Sequence, residues 1–310
     1  MADRSLPLRV TGVDFSGARD ARENVWLAEA VVESGAPTVG VESCAPATTA
    51  LAGHLDDAGD RAPDRGRAPE GSGTPARPPD DPEATARALA DHVRSLPGGH
   101  VVACDFPFGL PRPVAAGAFD ATTWRESLDA VAALDSGDAL ADACRAWAEA
   151  EADADGVYLK RTTDERTGAF SPYHFFVVDQ TYQGMANVLA PLVEDGDAYV
   201  LPNDLGEADA DRPWLLEVYP AAVFDALGCH RERYKGTGAA ERERRAANLD
   251  GLRAAGLRLD DATAERAVAN AGGDALDALA AAVGAARAVV DGRLRPDPGA
   301  WDPVECHIYR

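Results

Sequence analysis

The sequence predicts an α/β protein: a mixed sheet that begins as an antiparallel meander, with helices on both faces. Three observations carry this. Residues 9–15 (RVTGVDF), 24–33 (NVWLAEAVVE) and 38–44 (TVGVESC) are β-type runs parted by short turn-forming connectors. No helix fits between them, so they must be antiparallel neighbours. Further on, apolar runs of strand length alternate with helical patterns, as in α/β sheets.

The later elements follow in order. Residues 53–82 are rich in Asp, Gly, Pro and Arg and almost free of large apolar side chains. Such a segment buries too little to order itself and is expected to be a flexible insertion within one domain spanning 1–310. A helical pattern covers 83–96, and a buried strand follows at 100–106 (HVVACDF). Residues 120–150 are Ala-rich and helical in spacing. The run 173–178 (YHFFVV) reads as a strand, 180–193 as a helix, and 214–219 (WLLEVY) as a strand that turns at Pro220 into a helix. The remainder reads as helices at 239–255, 262–270 and 274–291 before a short tail, 304–309.

Composition narrows the function classes less than it first suggests. The chain has 310 residues and a net charge of −22, with 34 Asp to 18 Glu and 28 Arg to 2 Lys. Short hydrated carboxylates in place of lysines resemble a halophilic, haloarchaeal-type surface, whose self-repulsion molar salt would screen. Acidity of that origin does not exclude a nucleic-acid partner. The first twenty residues lack the apolar core of a signal peptide, and the longest uncharged run, 180–193, is interrupted by Gln183, Asn187 and Pro191. The expectation is a soluble, cytoplasmic protein with no membrane partner. Five cysteines, at least forty residues apart, have neither zinc-ligand nor redox spacing.

The chemistry is expected where carboxylates end or interrupt apolar strands. Asp14 closes the run 10–13, Asp105 closes 101–104, and Glu217 lies inside Leu215-Leu216-Glu217-Val218. A carboxylate there needs an Arg, a hydrogen-bond network or a metal ion. Asp274 and Asp277 open the last long helix, three residues apart and on one face. Asp274, after two glycines, suits an N-cap as well as a ligand; Asp277 leans towards ligation, because Leu276, Leu279 and Ala280 must face the core. Oxygen-only ligands of this kind suit Mg²⁺ or Mn²⁺. Two such ions could drive phosphodiester hydrolysis without histidine.

Four strings in order, Gly12-Val13-Asp14-Phe15-Ser16-Gly17-Ala18, Asp105-Phe106-Pro107-Phe108-Gly109-Leu110-Pro111, Glu217-Val218-Tyr219-Pro220-Ala221-Ala222 and Asp274-Ala275-Leu276-Asp277-Ala278-Leu279-Ala280, resemble the domain of unknown function 429 family. The resemblance implies a ribonuclease H-like fold and a predicted nuclease. The last string is also similar to the catalytic helix of bacterial Holliday-junction resolvases. By that resemblance Asp14, Glu217 and Asp277 would bind metal, with Asp274 and Asp105 alongside, and Asp14, Asp105, Glu217 and Asp277 would be catalytic.

Two basic segments are candidates for substrate contact. Arg161, within Lys160-Arg161-Thr162-Thr163-Asp164, could fork onto a phosphate. Residues 231–245 hold six basic side chains against three Glu, and Arg233 and Lys235 stand outside its helical part. The expected function is therefore a metal-dependent nuclease or phosphodiesterase acting on nucleic acid or a nucleotide. The alternatives are a non-catalytic nucleotide- or nucleic-acid-binding or scaffold protein on the same fold, and an ATP-dependent kinase-like relative. The glycine-rich phosphate turns that a kinase needs are missing from the sequence.

Overall fold

The meander forms because its three strands each bury one or both faces. The structure, a computed structural model, describes residues 8–17, 21–33, 38–58, 82–151 and 156–310. Strands β1 (Leu8–Asp14), β2 (Trp26–Glu33) and β3 (Thr38–Pro46) pair antiparallel in sequence order. β4 (Val101–Asp105) is apolar on both sides and lies parallel to β1, in the middle of the sheet where both faces are covered. β5 (Tyr199–Leu201), β6 (Trp214–Val218), β7 (Leu257–Arg258) and β8 (Ile308–Tyr309) complete an eight-stranded, mostly parallel sheet. Its order is β5-β6-β4-β1-β2-β3-β7, with β8 also paired to β6.

Helices flank the sheet, and a separate apolar cluster fills each side. One contains Val13, Val102, Cys104 and Leu215 under helices Pro82–Ser95, Trp124–Ala132 and Gly137–Ala150. The other contains Val10, Val101, Ala103 and Leu216 under helix Asp274–Val290. That helix comes down onto β1 at Gly12. A Cβ there would stand 2.0 Å from the Ala278 carbonyl oxygen and 2.4 Å from the Ala282 nitrogen. Gly12 shares its face with Asp14, so the same close approach brings the start of the helix over the end of β1. Gly12→Ala should therefore lower stability by about 1–3 kcal/mol in urea unfolding. Gly40→Ala, whose Cβ would meet nothing nearer than 3.7 Å, should not.

Several expectations need correction. Residues 173–178 are not a strand: Val177 and Val178 donate backbone hydrogen bonds to the His174 carbonyl, starting helix Val178–Gly184. The aromatic run mimics a strand in hydropathy but meets no partner edge. β5 and β7, three and two residues long, are too short to show a period. Within the expected insertion, residues 59–81 lie outside the described residues. Its beginning is the helix Ala52–Ala58, anchored by buried Leu51 and Leu55 four residues apart. Among the described residues no helix is long and apolar enough to cross a membrane. All five cysteines are free, and four of them are buried.

Candidate active site

β1, β4 and β6 run parallel, so their carboxyl ends share one edge of the sheet. β1 leads away into the meander while β4 leads towards β6. The crevice between their ends is a switch point of the kind where open α/β sheets bind ligands. Asp14 and Asp105 are the last residues of their strands and are direct partners in register. Both carboxyls lie on the face covered by helix Asp274–Val290, by alternation from Val10 and Ala103.

The two carboxyls lie close enough to act on each other. Burial pushes the Asp14 carboxyl well above the usual range. Lys235 opposes this, and Asp277, Asp105 and Asp274 add to it. Asp105 moves the same way through burial, with Asp277 next.

Helix Asp274–Val290 supplies the third acid. Asp277 is 2% exposed; its Oδ1 accepts the Tyr234 hydroxyl at 2.8 Å and its Oδ2 the Lys235 ammonium at 2.7 Å. Proximity to Asp277 raises the Lys235 ammonium above its ordinary value, with Asp14 and Asp105 contributing. Lys235 is thus the cation held among these carboxylates, and its side chain is about half exposed.

Gly273 makes that position reachable. It is the helix N-cap, at φ 85°, and a Cβ there would crowd Tyr234 at 3.0 Å and Lys235 at 3.2 Å. The open question over Asp274 is settled on one side: it is the first helical residue and not the cap. Half-buried, it lies close enough to Lys235 and Asp277 for both to act on its carboxyl, which burial raises.

Glu217 is not part of this group. Period-two alternation turns it to the opposite face, with Leu215 and Cys104. There its Oε1 and Oε2 take the Arg161 guanidinium at 2.5 and 2.8 Å, and Oε2 also accepts the Phe108 amide at 2.9 Å. Arg161 is correspondingly not available to a phosphate. It is fully buried, and all its N–H groups are spent. Nε goes to Asp164, Nη1 to Glu217 and the Glu305 carbonyl, and Nη2 to Asp164 and Glu217. Burial alone would lower the guanidinium, yet Asp164 and Glu217 together hold it well above its ordinary value. Arg233 is exposed, at φ 62°, one residue before Tyr234.

The family described as "Protein of unknown function (DUF429)" matches residues 40–300. The chain belongs to the DUF429 family. Asp105, Glu217, Asp274 and Asp277 fall within the DUF429 match, whereas Asp14 precedes it. No curated protein and no solved structure matches the chain.

From the sequence, Tyr234 is a candidate substrate contact together with Arg233 and Lys235, whereas Tyr219 carries no weight of its own. Tyr219 follows β6, and after burial the largest effect raising its hydroxyl comes from Asp105. The signal available for Tyr219 was an aromatic residue inside the Glu217 motif. Among the described residues, no three acidic, histidine or cysteine side chains are so disposed that they could hold a metal ion. The donors here are oxygen only, and the cation among them is the Lys235 ammonium.

Proposed function

We propose that the protein is a metal-assisted phosphodiesterase acting on nucleic acid, with Asp14, Asp105 and Asp277 as its central residues and Asp274 at the rim. One observation carries the reading: acids from β1, β4 and helix Asp274–Val290 gather around a single cation, Lys235, at the carboxyl edge of the sheet. Burying like-charged carboxyls opposes folding, and an arrangement that does so at a switch point suits a functional site. The meander, the acid at the end of the first strand and the acidic last helix also support a ribonuclease H-like fold for this reading.

As disposed, these side chains do not form a metal site; on this reading Asp14, Asp105 and Asp277 would have to close on a Mg²⁺ or Mn²⁺ ion in place of the ammonium. When bound, it would polarise a phosphoryl oxygen and offset transition-state charge. The chain's own groups have distinct tasks. Burial holds the Asp14 and Asp105 carboxyls above their ordinary range, and both must be ionised to bind a cation. Tyr234 fixes one oxygen of Asp277 and so orients the other. Lys235, freed, is left beside the crevice as a phosphate partner.

A second reading follows from the Lys235–Asp277 ion pair itself. A cluster already neutralised by an internal ammonium needs no ion and could belong to a non-catalytic binding protein. Mn²⁺ titration separates the two. On the hydrolytic reading Mn²⁺ raises the melting temperature, more so as pH rises because protons must leave, and supports cleavage of a nucleic acid. Unchanged melting at every pH, with no cleavage, would favour the binding protein. The assay belongs in molar KCl, which screens the −22 charge.

A further inference from the structure

Three of the four large apolar side chains exposed among the described residues are rings on the loop between helix Thr162–Thr167 and helix Val178–Gly184. Phe170, Phe175 and Phe176 are 45%, 62% and 65% exposed. They are ordered against one another. The ring of His174 stacks on Phe170 at 4.8 Å and on Phe175 at 4.3 Å between centroids, and Phe175 lies 4.2 Å from Phe176. Tyr158 closes the inner side, 4.6 Å from His174. In a chain only 6% aromatic, solvent-facing rings held in mutual stacks are not core residues out of place.

Both ends of this loop are tied to the acidic site. At one end the Gly168 carbonyl accepts the Arg231 guanidinium at 2.8 Å, and Arg231 lies over the ring of Tyr219, the tyrosine next to Asp105. At the other end, Gln180 Nε2 donates to the Asp105 carbonyl oxygen at 3.1 Å. The backbone of Asp179 and Gln180 also packs on Gly17, where a Cβ would stand 2.4 Å away. The loop that carries the rings is therefore anchored beside the crevice.

Two cations stand beside the rings: Lys160, one of two lysines, acts on His174, and Arg231 borders Gly168, while nearby Arg145 is paired with Asp142. Aromatic faces accompanied by scattered cations fit unpaired bases joined by phosphates. A paired duplex hides its base faces, and a purely apolar protein partner gives the cations nothing to meet.

We propose that the surface of Phe170, His174, Phe175 and Phe176 is a stacking platform for the bases of a single-stranded nucleic acid, which it delivers to the Asp14–Asp105 crevice. The delivery part rests on the hydrolytic reading above; the platform does not.

The test is fluorescence anisotropy with a short labelled oligothymidylate and, separately, a blunt duplex, without divalent ions. The proteins are the wild type, the Phe175→Ala/Phe176→Ala double variant and the Phe175→Tyr/Phe176→Tyr double variant. Both side chains are exposed, so the substitutions should leave the melting temperature unchanged. The wild type is expected to prefer the single strand, the alanine variant to bind it about tenfold or more weakly, and the tyrosine variant to keep most of the affinity.

Equal affinity of wild type and alanine variant, or no preference over duplex, would overturn the platform. So would a wild-type dimer in sedimentation that the alanine variant converts to monomer, because the rings would then be an interface between copies. Mn²⁺-supported hydrolysis of bis(p-nitrophenyl) phosphate, run in parallel, keeps the two readings apart. Ring-dependent strand binding without any hydrolysis retains the platform and rejects the hydrolase. Hydrolysis without ring-dependent binding does the reverse.

Discussion

Asp14→Asn should abolish Mn²⁺-supported cleavage while leaving the fold as stable as the wild type, or more so. The loss follows from removing one oxygen ligand of a cation asked to supply several kcal/mol of transition-state stabilisation. At 1.36 kcal/mol per tenfold, about 10³-fold in rate is expected. The stability effect has a definite sign. Burial raises Asp14 well above the unfolded carboxyl range. Between the unfolded and the folded value the native state binds more protons, so its stability falls as pH rises through that window. Above the window the penalty is complete. Asparagine cannot ionise and carries no such penalty. Urea unfolding from pH 4 to pH 8 should therefore show a flatter stability profile for the variant. A variant less stable than wild type by about 1 kcal/mol at neutral pH would point to an ordinary salt-bridge role for Asp14 instead. Wild-type rates in the variant would end the hydrolytic reading.

Arg161→Met should produce the largest loss of stability of any substitution considered, about 3–5 kcal/mol in chemical denaturation. The guanidinium is fully buried between Asp164 and Glu217, themselves buried, and its removal strands two carboxylates in an apolar layer. Replacing Glu217 and Asp164 by leucine in the same protein should recover part of the loss, because no charge is then left unpaired. The recovery stays partial, since the Phe108 and Arg161 amides lose their acceptors. The measurement also distinguishes structure from substrate binding. A phosphate-binding arginine would raise KM with unfolding unchanged; a buried keystone lowers the unfolding midpoint and leaves KM alone at temperatures where the protein is folded.

These two substitutions mark where reading the chain succeeded and where it stopped. Apolar runs with an acid at the end are local patterns, so Asp14 and Asp105 were legible as strand-end carboxylates. Their direct pairing required knowing that β4 inserts beside β1. The first acids of the last helix were legible for the same reason, and Gly12 was visible as a glycine. Nothing in the sequence said that the helix rests on Gly12, because that contact joins residues more than 260 positions apart.

Glu217 and Arg161 show the limit more sharply. Both belong to motifs that suggested chemistry, and both are spent on each other. In a strand buried on both faces, one residue of register decides which layer a side chain enters, and an apolar run gives no polar side from which to infer it. Lys235 was read as a surface contact for phosphate, whereas its ammonium lies 2.7 Å from Asp277. That arises because Gly273, at a positive φ, lets the Tyr234–Lys235 loop close over the helix start.

The sequence alone thus determined the α/β class, the order of the acidic motifs and the family. Each rests on neighbouring residues and on period. Only the tertiary structure decided which acids share a face, which cation they hold, and that an apparent strand is a surface of exposed rings. Those are outcomes of pairing and packing between distant segments, and no local pattern encodes them.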